Sequence, residues 1–249
     1  METVDTSSNI VNTPSLSPSP EYKKHPTNTK WIVWYHNPSD KNWGLDSYKD
    51  IIEISSIEDF WVLKNSWDKC LPKVYEGMFF VMRKTPKTCI YPQWEDKHNR
   101  KGGYWSFKTE KAKSSDAWFS LMMHTLGEWI LKNKNDINLI NGISISPKKH
   151  FCIIKIWNAD SKQHKNTLLS PDLSSFLNIE GVLYSNHEDN IKKDENKYKK
   201  RDRYNGSGKS GGFYSRHNSD GRNSGGYSSG GYSSGGHRSG RRDRDRYRY

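Results

Sequence analysis

All ten tryptophans of this 249-residue chain lie between Trp31 and Trp157. Tryptophan is a large, mostly apolar side chain that is covered from water in most folded proteins. Beyond residue 190 there is no tryptophan, and twelve of the 19 glycines fall between Gly206 and Gly240. A segment of that composition buries too little apolar surface to offset the entropy of ordering. The sequence therefore predicts a Trp-rich folded body followed by a low-complexity tail.

The net charge of +12 belongs mainly to that tail. Residues 191–249 carry a net charge of +10, whereas residues 1–190 carry only +2. Arginine and tyrosine in a Gly/Ser-rich segment are typical of weak binding to single-stranded RNA, through phosphate contacts and base stacking. The alternative is a solubilising tail without a specific ligand. A folded body that coats a polyanion with its whole surface is disfavoured.

Three segments are predicted. Residues 1–28 are rich in Ser, Thr, Pro and Asn and form a disordered N-terminal arm. Residues 29–190 form the folded domain, and residues 191–249 form a disordered basic Gly/Ser/Tyr/Arg-rich tail. The apolar runs fall well short of the ~18 residues that a membrane helix needs, and the first 20 residues lack the apolar centre of a secretory signal. We therefore expect no membrane partner.

The cysteines give no sign of a metal centre. Cys70, Cys89 and Cys152 are scattered and odd in number, with neither a CxxC pair nor zinc spacing. We expect reduced thiols, no metal site and no cofactor.

Short β-prone runs alternate with three helical segments, which indicates an α+β fold with one antiparallel sheet and helices on one face. Ser55 and Glu58 have the spacing of a capping box that opens the first helix. Residues 116–132 repeat apolar side chains at intervals of three, four and seven and predict the second helix. Ser170-Pro171 predicts the start of a third, short helix.

Two tryptophans stand in polar loops, where a core side chain is not expected. Trp43 lies in Asp40–Gly44 and Trp94 in Pro92–Lys97. Two indole faces can hold a flat ring between them, and a positively charged ring gains most, by about 2 kcal/mol or more when desolvated. Glu95 accepts hydrogen bonds only and suits the donor edge of guanine. The pattern predicts a site for a positively charged guanine nucleotide such as 7-methylguanosine at an RNA 5′ end.

These residues belong to a longer ordered series. The series reads, in chain order, His25-Pro26, Trp43, Glu58-Asp59-Phe60-Trp61, Pro92-Gln93-Trp94-Glu95-Asp96, Asn99-Arg100-Lys101-Gly102-Gly103-Tyr104-Trp105, Leu126-Gly127-Glu128, Ile154-Lys155-Ile156-Trp157 and Tyr184-Ser185-Asn186-His187-Glu188-Asp189. It resembles the messenger-RNA cap-binding translation initiation factor 4E family from about Tyr22 to Asp189. The resemblance implies a single curved antiparallel β-sheet with three helices on the convex face and the cap site on the concave face.

Position by position, the resemblance assigns the base contacts of the cap. Trp43 and Trp94 match the stacking pair, and Glu95 matches the carboxylate that reads the guanine edge. Trp157 matches the tryptophan that touches the N7-methyl group. The implied partner is capped mRNA.

The phosphate contacts depart from the family pattern. Lys148 stands at the principal phosphate-binding arginine and keeps the charge without the bidentate fork. His150 is only partly charged at neutral pH, and Ile153 has lost the charge of a third position. Lys149 and Lys155 are the candidates to compensate, although in a regular strand Lys155 points away from the face of its neighbours.

Tyr104 replaces the basic residue that the family has after the Gly-Gly pair. Either it packs or faces solvent, or it stacks on the first transcribed nucleotide. The choice stays open at the level of sequence.

The resemblance also implies a partner surface on the convex side, where a short helix of a scaffold initiation factor of the 4G type would dock. The matching positions are His25, Pro26, Ile57, Trp61, Phe119 and Met123.

We therefore expect a non-enzymatic translation factor that recruits capped mRNA, monomeric and cytoplasmic, or in the host cytoplasm or virion if the chain is viral. Two alternatives remain: a cap-binding repressor or decoy that does not engage the scaffold, and a general RNA-binding protein driven by the basic tail. A cap-hydrolysing enzyme would need clustered acidic metal ligands, a pattern that the sequence does not suggest.

Overall fold

The computed structural model describes residues 23–206, with side chains to residue 196. The predicted arm up to residue 22 and the tail from residue 207 lie outside these residues. The described strands are β1 (Pro26–His36), β2 (Tyr48–Ser56), β3 (Met78–Thr85), β4 (Thr88–Cys89), β5 (Gly103–Glu110), β6 (Ile140–Pro147), β7 (Phe151–Asn158) and β8 (Leu183–Asn186). The α-helices are α1 (Ile57–Cys70), α2 (Lys111–Leu126) and α3 (His187–Gly206). Short 3₁₀ helices span Leu45–Ser47, Lys134–Leu139, Asn166–Leu168 and Pro171–Ser175.

The strands form one curved antiparallel sheet in the order β2-β1-β3-β6-β7-β5-β8, with β4 paired to β3. This confirms the predicted α+β class. In the centre, Val33 of β1 lies opposite Val81 of β3, and Tyr104 of β5 lies opposite Trp157 of β7.

Both faces of the sheet are covered, because apolar side chains occupy successive positions in the central strands. Successive residues of a strand point to opposite faces. Phe79 and Val81 of β3 belong to the core under α1 and α2, whereas Phe80 and Met82 belong to a second cluster on the opposite face. The convex face thus holds the larger core, and the concave face holds a separate aromatic cluster.

The capping box of α1 lies one residue later than predicted. Ser55 and Ser56 still belong to β2, and Ser56 is the N-cap. The Asp59 backbone N–H donates to Ser56 Oγ at 3.2 Å, and the Ser56 N–H donates to Asp59 Oδ2 at 3.0 Å. Glu58, predicted for the box, instead accepts from the backbone N–H of His25. Ile54 and Ser56, on either side of Ser55, pair with β1, so this segment stays extended and the helix starts after it.

The second helix begins and ends earlier than its apolar periodicity predicts, at residues 111 and 126. Gly127 follows as the C-cap, and Glu128 has a positive φ of 58°, which turns the chain away from the helix axis. Trp129, counted in the periodic pattern, therefore lies beyond the helix and is 56% exposed. The third predicted helix exists as a 3₁₀ turn whose Ser170 cap accepts from the Asp172 N–H.

Helix α3 was not predicted, and the expected boundary between residues 190 and 191 falls inside it. The Glu188 N–H donates to Asn186 Oδ1 at 2.8 Å, and Glu188 and Asp189 place negative charge in the first turn, where the helix dipole favours it. Ile191 is buried against the concave cluster. At the other end, β1 begins at Pro26, inside the expected arm, because Pro26 pairs with Ser56 of β2.

Within residues 23–206, none of the helices combines the length and apolar character needed to cross a bilayer.

Candidate functional site

The concave face carries a cluster of ten buried side chains, here called the concave cluster. Its members are Trp34, Tyr48, Met78, Phe80, Met82, Ile90, Trp94, Tyr104, Trp157 and Ile191. Trp43 and Tyr91 pack against its margin. The structure therefore brings the three tryptophans predicted for ligand binding to one face of the sheet.

Trp43 is held at the margin of the cluster by the residue that ends β1. Its ring stacks on the His36 imidazole with centroids 4.1 Å apart and planes 6° from parallel. A nitrogen of that imidazole lies 2.9 Å from the Asn42 carbonyl oxygen, which fixes the ring beside the loop. Gln93 Nε2 donates to the Trp43 carbonyl at 2.9 Å and so ties the Trp43 loop to the Trp94 loop.

The Trp94 loop is ordered by a buried asparagine that sequence reasoning did not assign to the site. Asn99 Nδ2 donates to the carbonyls of Tyr91 and Gln93, both at 2.8 Å. The loop points Trp94 into the cluster, where it is only 5% exposed. The next residue, Glu95, is exposed. The loop thus presents a buried indole and an exposed glutamate at successive positions.

Trp157 lies deepest of the three. It is 1% exposed, and its Nε1 donates to Ser144 Oγ at 2.9 Å across the β6–β7 pair. Its ring meets Phe80 at 6.2 Å and Tyr104 at 6.3 Å between centroids. Of the two alternatives for Tyr104, the structure shows packing within the concave cluster.

The predicted phosphate-binding residues lie at and beyond the β6–β7 turn. Lys148 is half-buried, and Lys149 and His150 are exposed at the tip. Lys155 points to the concave face, as the alternation in β7 requires, and its Nζ lies 4.0 Å from the Tyr104 ring centroid. Burial, and then the charge of Lys148, holds the pKa of Lys155 well below its usual value. The basic side chains therefore extend from the turn into the cluster.

Helix α3 adds a residue that the sequence reasoning did not select. The His187 ring lies 4.8 Å from Trp157, 5.4 Å from Tyr104 and 6.2 Å from Trp94, between centroids. Burial, and then the charge of Lys155, lowers the pKa of His187 to about 3. Within the described part of the chain, neither ring nitrogen of His187 makes a hydrogen bond of ordinary geometry. In the sequence, His187 stands four residues before Ile191, a spacing that places both side chains on the same side of a helix. This spacing could have identified His187 as a buried residue.

The predicted partner surface lies on the opposite, convex face. Trp61, Ile57 and Met123 are 44%, 41% and 42% exposed, which is unusual for large apolar side chains. A groove of about 540 Å³ runs along α1 between Ile57 and Asn65. Phe119 is half-buried, with its ring 5.2 Å from that of Trp67.

The segment before β1 is fastened to this surface by His25. Its Nδ1 lies 2.7 Å from Glu58 Oε1, and its backbone N–H donates to Glu58 Oε2 at 3.0 Å. The hydrogen bond from His25 is the largest of the effects that lower the pKa of Glu58 to about 2. Pro26 follows and is exposed at the start of β1. The structure thus places His25 and Pro26 beside the first turn of α1.

The sequence model of the eukaryotic initiation factor 4E family matches residues 26–202. The chain belongs to this family. Eukaryotic translation initiation factor 4E of Candida albicans is 31% identical over 164 residues, which are 63% of this chain and 75% of that relative. The Dictyostelium discoideum factor is 30% identical over 179 residues, covering 68% and 67% of the two chains.

A solved initiation factor 4E structure agrees with the fold. The complex of C. elegans eIF4E-3 with the 4E-binding protein Mextli and a cap analog aligns with a TM-score of 0.52 at 19% identity. The alignment covers 68% of this chain and 96% of that one. At this identity the likeness shows the sheet and its helices, not the roles of single residues.

Proposed function

We propose that this initiation factor 4E family member binds the 7-methylguanosine cap of mRNA and recruits capped mRNA to translation initiation through a scaffold partner. The observation that carries the proposal is the convergence of Trp43, Trp94 and Trp157 on one concave cluster, with the exposed carboxylate of Glu95 beside it. The relatives are named translation initiation factor 4E, and the C. elegans neighbour was solved with a cap analog and a 4E-binding protein.

In the proposed complex, Trp43 and Trp94 stack on the two faces of the methylated guanine. Its positive charge strengthens the attraction to indole, because the ring quadrupole is negative at its face. Glu95 accepts the paired donors of the guanine edge, and a charge-assisted pair of this kind is stronger than neutral hydrogen bonds. Trp157 contacts the N7-methyl group.

Lys148, Lys149 and His150 are proposed to hold the cap phosphates at the β6–β7 turn. Lysine interacts with phosphate as a point charge rather than as a planar fork. His150 adds charge only when protonated. The phosphate contacts should therefore depend more on salt and pH than the base contacts do.

The scaffold helix is proposed to dock on the groove that Trp61 lines. A helix-in-groove contact needs an exposed apolar anchor at its centre, and Trp61 and Met123 supply such side chains. Because this groove and the concave cluster lie on opposite faces of one sheet, cap and scaffold can bind at the same time. We propose that this role is binding without catalysis and is exercised in the cytoplasm.

The test is a titration of intrinsic tryptophan fluorescence with 7-methyl-GTP and with GTP. The proposal predicts quenching with a clear preference for the methylated nucleotide, because only that ring is cationic. Trp94→Ala and Glu95→Gln should remove the preference. Trp129→Ala, which removes an exposed tryptophan outside the concave cluster, should keep it. Equal weak binding of the two nucleotides by the parent chain would refute the proposal.

A further inference from the structure

Helix α3 crosses the face where the ligand is proposed to bind. His187 and Ile191 are one helical turn apart, so their side chains share one side of α3. His187 is fully buried and Ile191 is 7% exposed, both against the concave cluster. The His187 backbone N–H also donates to the Gly102 carbonyl at 3.0 Å, which anchors the start of α3 beside β5.

This contact covers the rings that a base would need. Trp94 is 5% exposed and Trp157 is 1% exposed. A nucleobase stacks on an indole only when one face of that indole is open. Since the His187 ring lies 6.2 Å from Trp94 and 4.8 Å from Trp157, it occupies space next to both. The start of α3 therefore covers part of the surface of both rings.

The covered arrangement also contains a group that favours opening. Both ring nitrogens of His187 are buried, and neither makes a hydrogen bond of ordinary geometry in the described part of the chain. A buried imidazole without full compensation opposes the covered state and would regain water on opening. Apolar packing by Ile191 thus favours the covered state, and the buried imidazole opposes it.

We propose that the first two turns of α3 are a lid that competes with the cap for the concave cluster. The inference rests on the proposed function and adds that ligand binding is coupled to displacement of the chain's own helix. The observed affinity of such a protein equals the intrinsic affinity multiplied by the fraction of molecules with the lid open. Weakening the lid should therefore tighten binding without any new contact to the ligand.

The first experiment compares 7-methyl-GTP affinities of the full chain by calorimetry. Ile191→Asp places a carboxylate in the apolar contact and should tighten binding about tenfold, since loss of one buried aliphatic side chain shifts an equilibrium by at least that factor. Asn196→Asp adds the same charge at an exposed position of α3 and should change affinity less than about twofold. Ile191→Ala removes part of the contact and should give an intermediate gain.

The second experiment needs no substitution. Amide hydrogen exchange in residues 188–196 of the parent chain should accelerate when 7-methyl-GTP binds, because binding lifts the helix. If the nucleotide binds while exchange stays the same or slows, the lid is refuted and the proposed function stands. The same holds if the parent, Ile191→Asp and Asn196→Asp bind equally well. If neither the parent nor Ile191→Asp prefers the methylated nucleotide, the proposed function fails, and the lid as its competitor fails with it.

Discussion

At the scale of single residues, one buried ion pair joins the end of α2 to the sheet. Arg83 Nη1 and Nη2 lie 2.6 Å and 2.8 Å from the two Glu128 carboxylate oxygens. The two side chains are 4% and 10% exposed. Arg83 also donates to the Ile137 and Ile140 carbonyls, and Thr29 Oγ1 donates to Glu128. The pair therefore fixes the positive-φ turn after α2.

Glu128→Gln should destabilise the chain by about 3–5 kcal/mol, because it leaves a buried arginine without its counter-charge. Urea denaturation measures the change. Glu110→Gln is the matched control, since Glu110 pairs with Lys113 on the surface, where both side chains are more than 70% exposed. An exposed pair contributes about 0–1 kcal/mol. Equal losses in the two variants would contradict the role given to burial.

His187 should titrate far below an ordinary histidine. Its pKa of about 3 lies below the usual 6.5 because burial and the charge of Lys155 disfavour the imidazolium. Tyr104 is the other titratable side chain whose ring faces it within the described residues. NMR of the imidazole protons should give a value near 3 in the parent chain and a value closer to 6.5 in Ile191→Asp.

The same shift sets the direction of a stability change with pH. Above pH 6.5, His187 is neutral in the folded and unfolded states, so it contributes no pH dependence. Between 6.5 and about 3, only the unfolded state binds the proton, so this residue lowers stability as pH falls. The limiting slope is about 1.4 kcal/mol per pH unit. A parent His187 that titrates near 6.5 would contradict both the burial and the lid.

The site residues could be foreseen only in part. Trp43 and Trp94 were recognisable because each stands in a polar loop, where a large apolar side chain indicates a binding site. His187 and Ile191 were not recognisable as site residues. They lie where the sequence becomes rich in charged residues, and a buried side chain is not expected in such a segment. Asn99 carries no pattern of its own, since its role depends on two carbonyls of a loop that only the folded chain defines.

At the scale of elements, the groove along α1 should act independently of the concave face. Trp61→Ala should weaken binding of a scaffold-derived helical peptide by about 30-fold or more, as expected of a central aromatic anchor. It should leave 7-methyl-GTP affinity unchanged, because the sheet separates the two surfaces. Calorimetry with each ligand checks both statements, and Trp129→Ala serves as the control for loss of an exposed tryptophan. Loss of nucleotide affinity in Trp61→Ala would contradict this separation.

For α1 and α2, the existence of the helix was predicted correctly but its ends were not. The periodic run that suggested residues 116–132 ignored Glu128, whose left-handed backbone ends the helix and is held there by Arg83. The α1 cap lies one residue later than predicted because Ile54 and Ser56, on either side of Ser55, pair with β1. In each instance a tertiary contact overrode a local pattern. The strands were easier, since apolar and aromatic runs bounded by turn residues leave few other options.

At the scale of the whole molecule, cap recognition and general RNA affinity should be separable. Deleting residues 207–249 keeps α3 and removes much of the basic, low-complexity tail. The affinity for 7-methyl-GTP should stay within about twofold, while the affinity for an uncapped single-stranded RNA should fall. The salt dependence of RNA binding should also flatten, because fewer counterions are released. Fluorescence anisotropy over a salt series measures this, and an unchanged slope would show that the body carries the RNA contacts.

The architecture was the most predictable level. A near-neutral, Trp-rich body with ordered family motifs indicated one antiparallel sheet with helices on its convex face. The sheet is as expected, and α1 and α2 pack on the convex core, but α3 packs on the concave face. What composition could not convey was the reach of the fold past residue 190. The fold continues past residue 190 because one apolar side chain, Ile191, is buried against the aromatic residues of the concave cluster.

The two ends of the sheet bear on how the protein behaves at high concentration. Among the described strands, β2 and β8 each have one neighbour, so each presents an open edge that another chain could extend. β8 is only four residues long, and β2 carries Lys49, Asp50 and Glu53 along nine residues. Short or charged edges discourage strand addition between molecules. The same sheet that supplies a broad aromatic face should thus resist edge-to-edge aggregation.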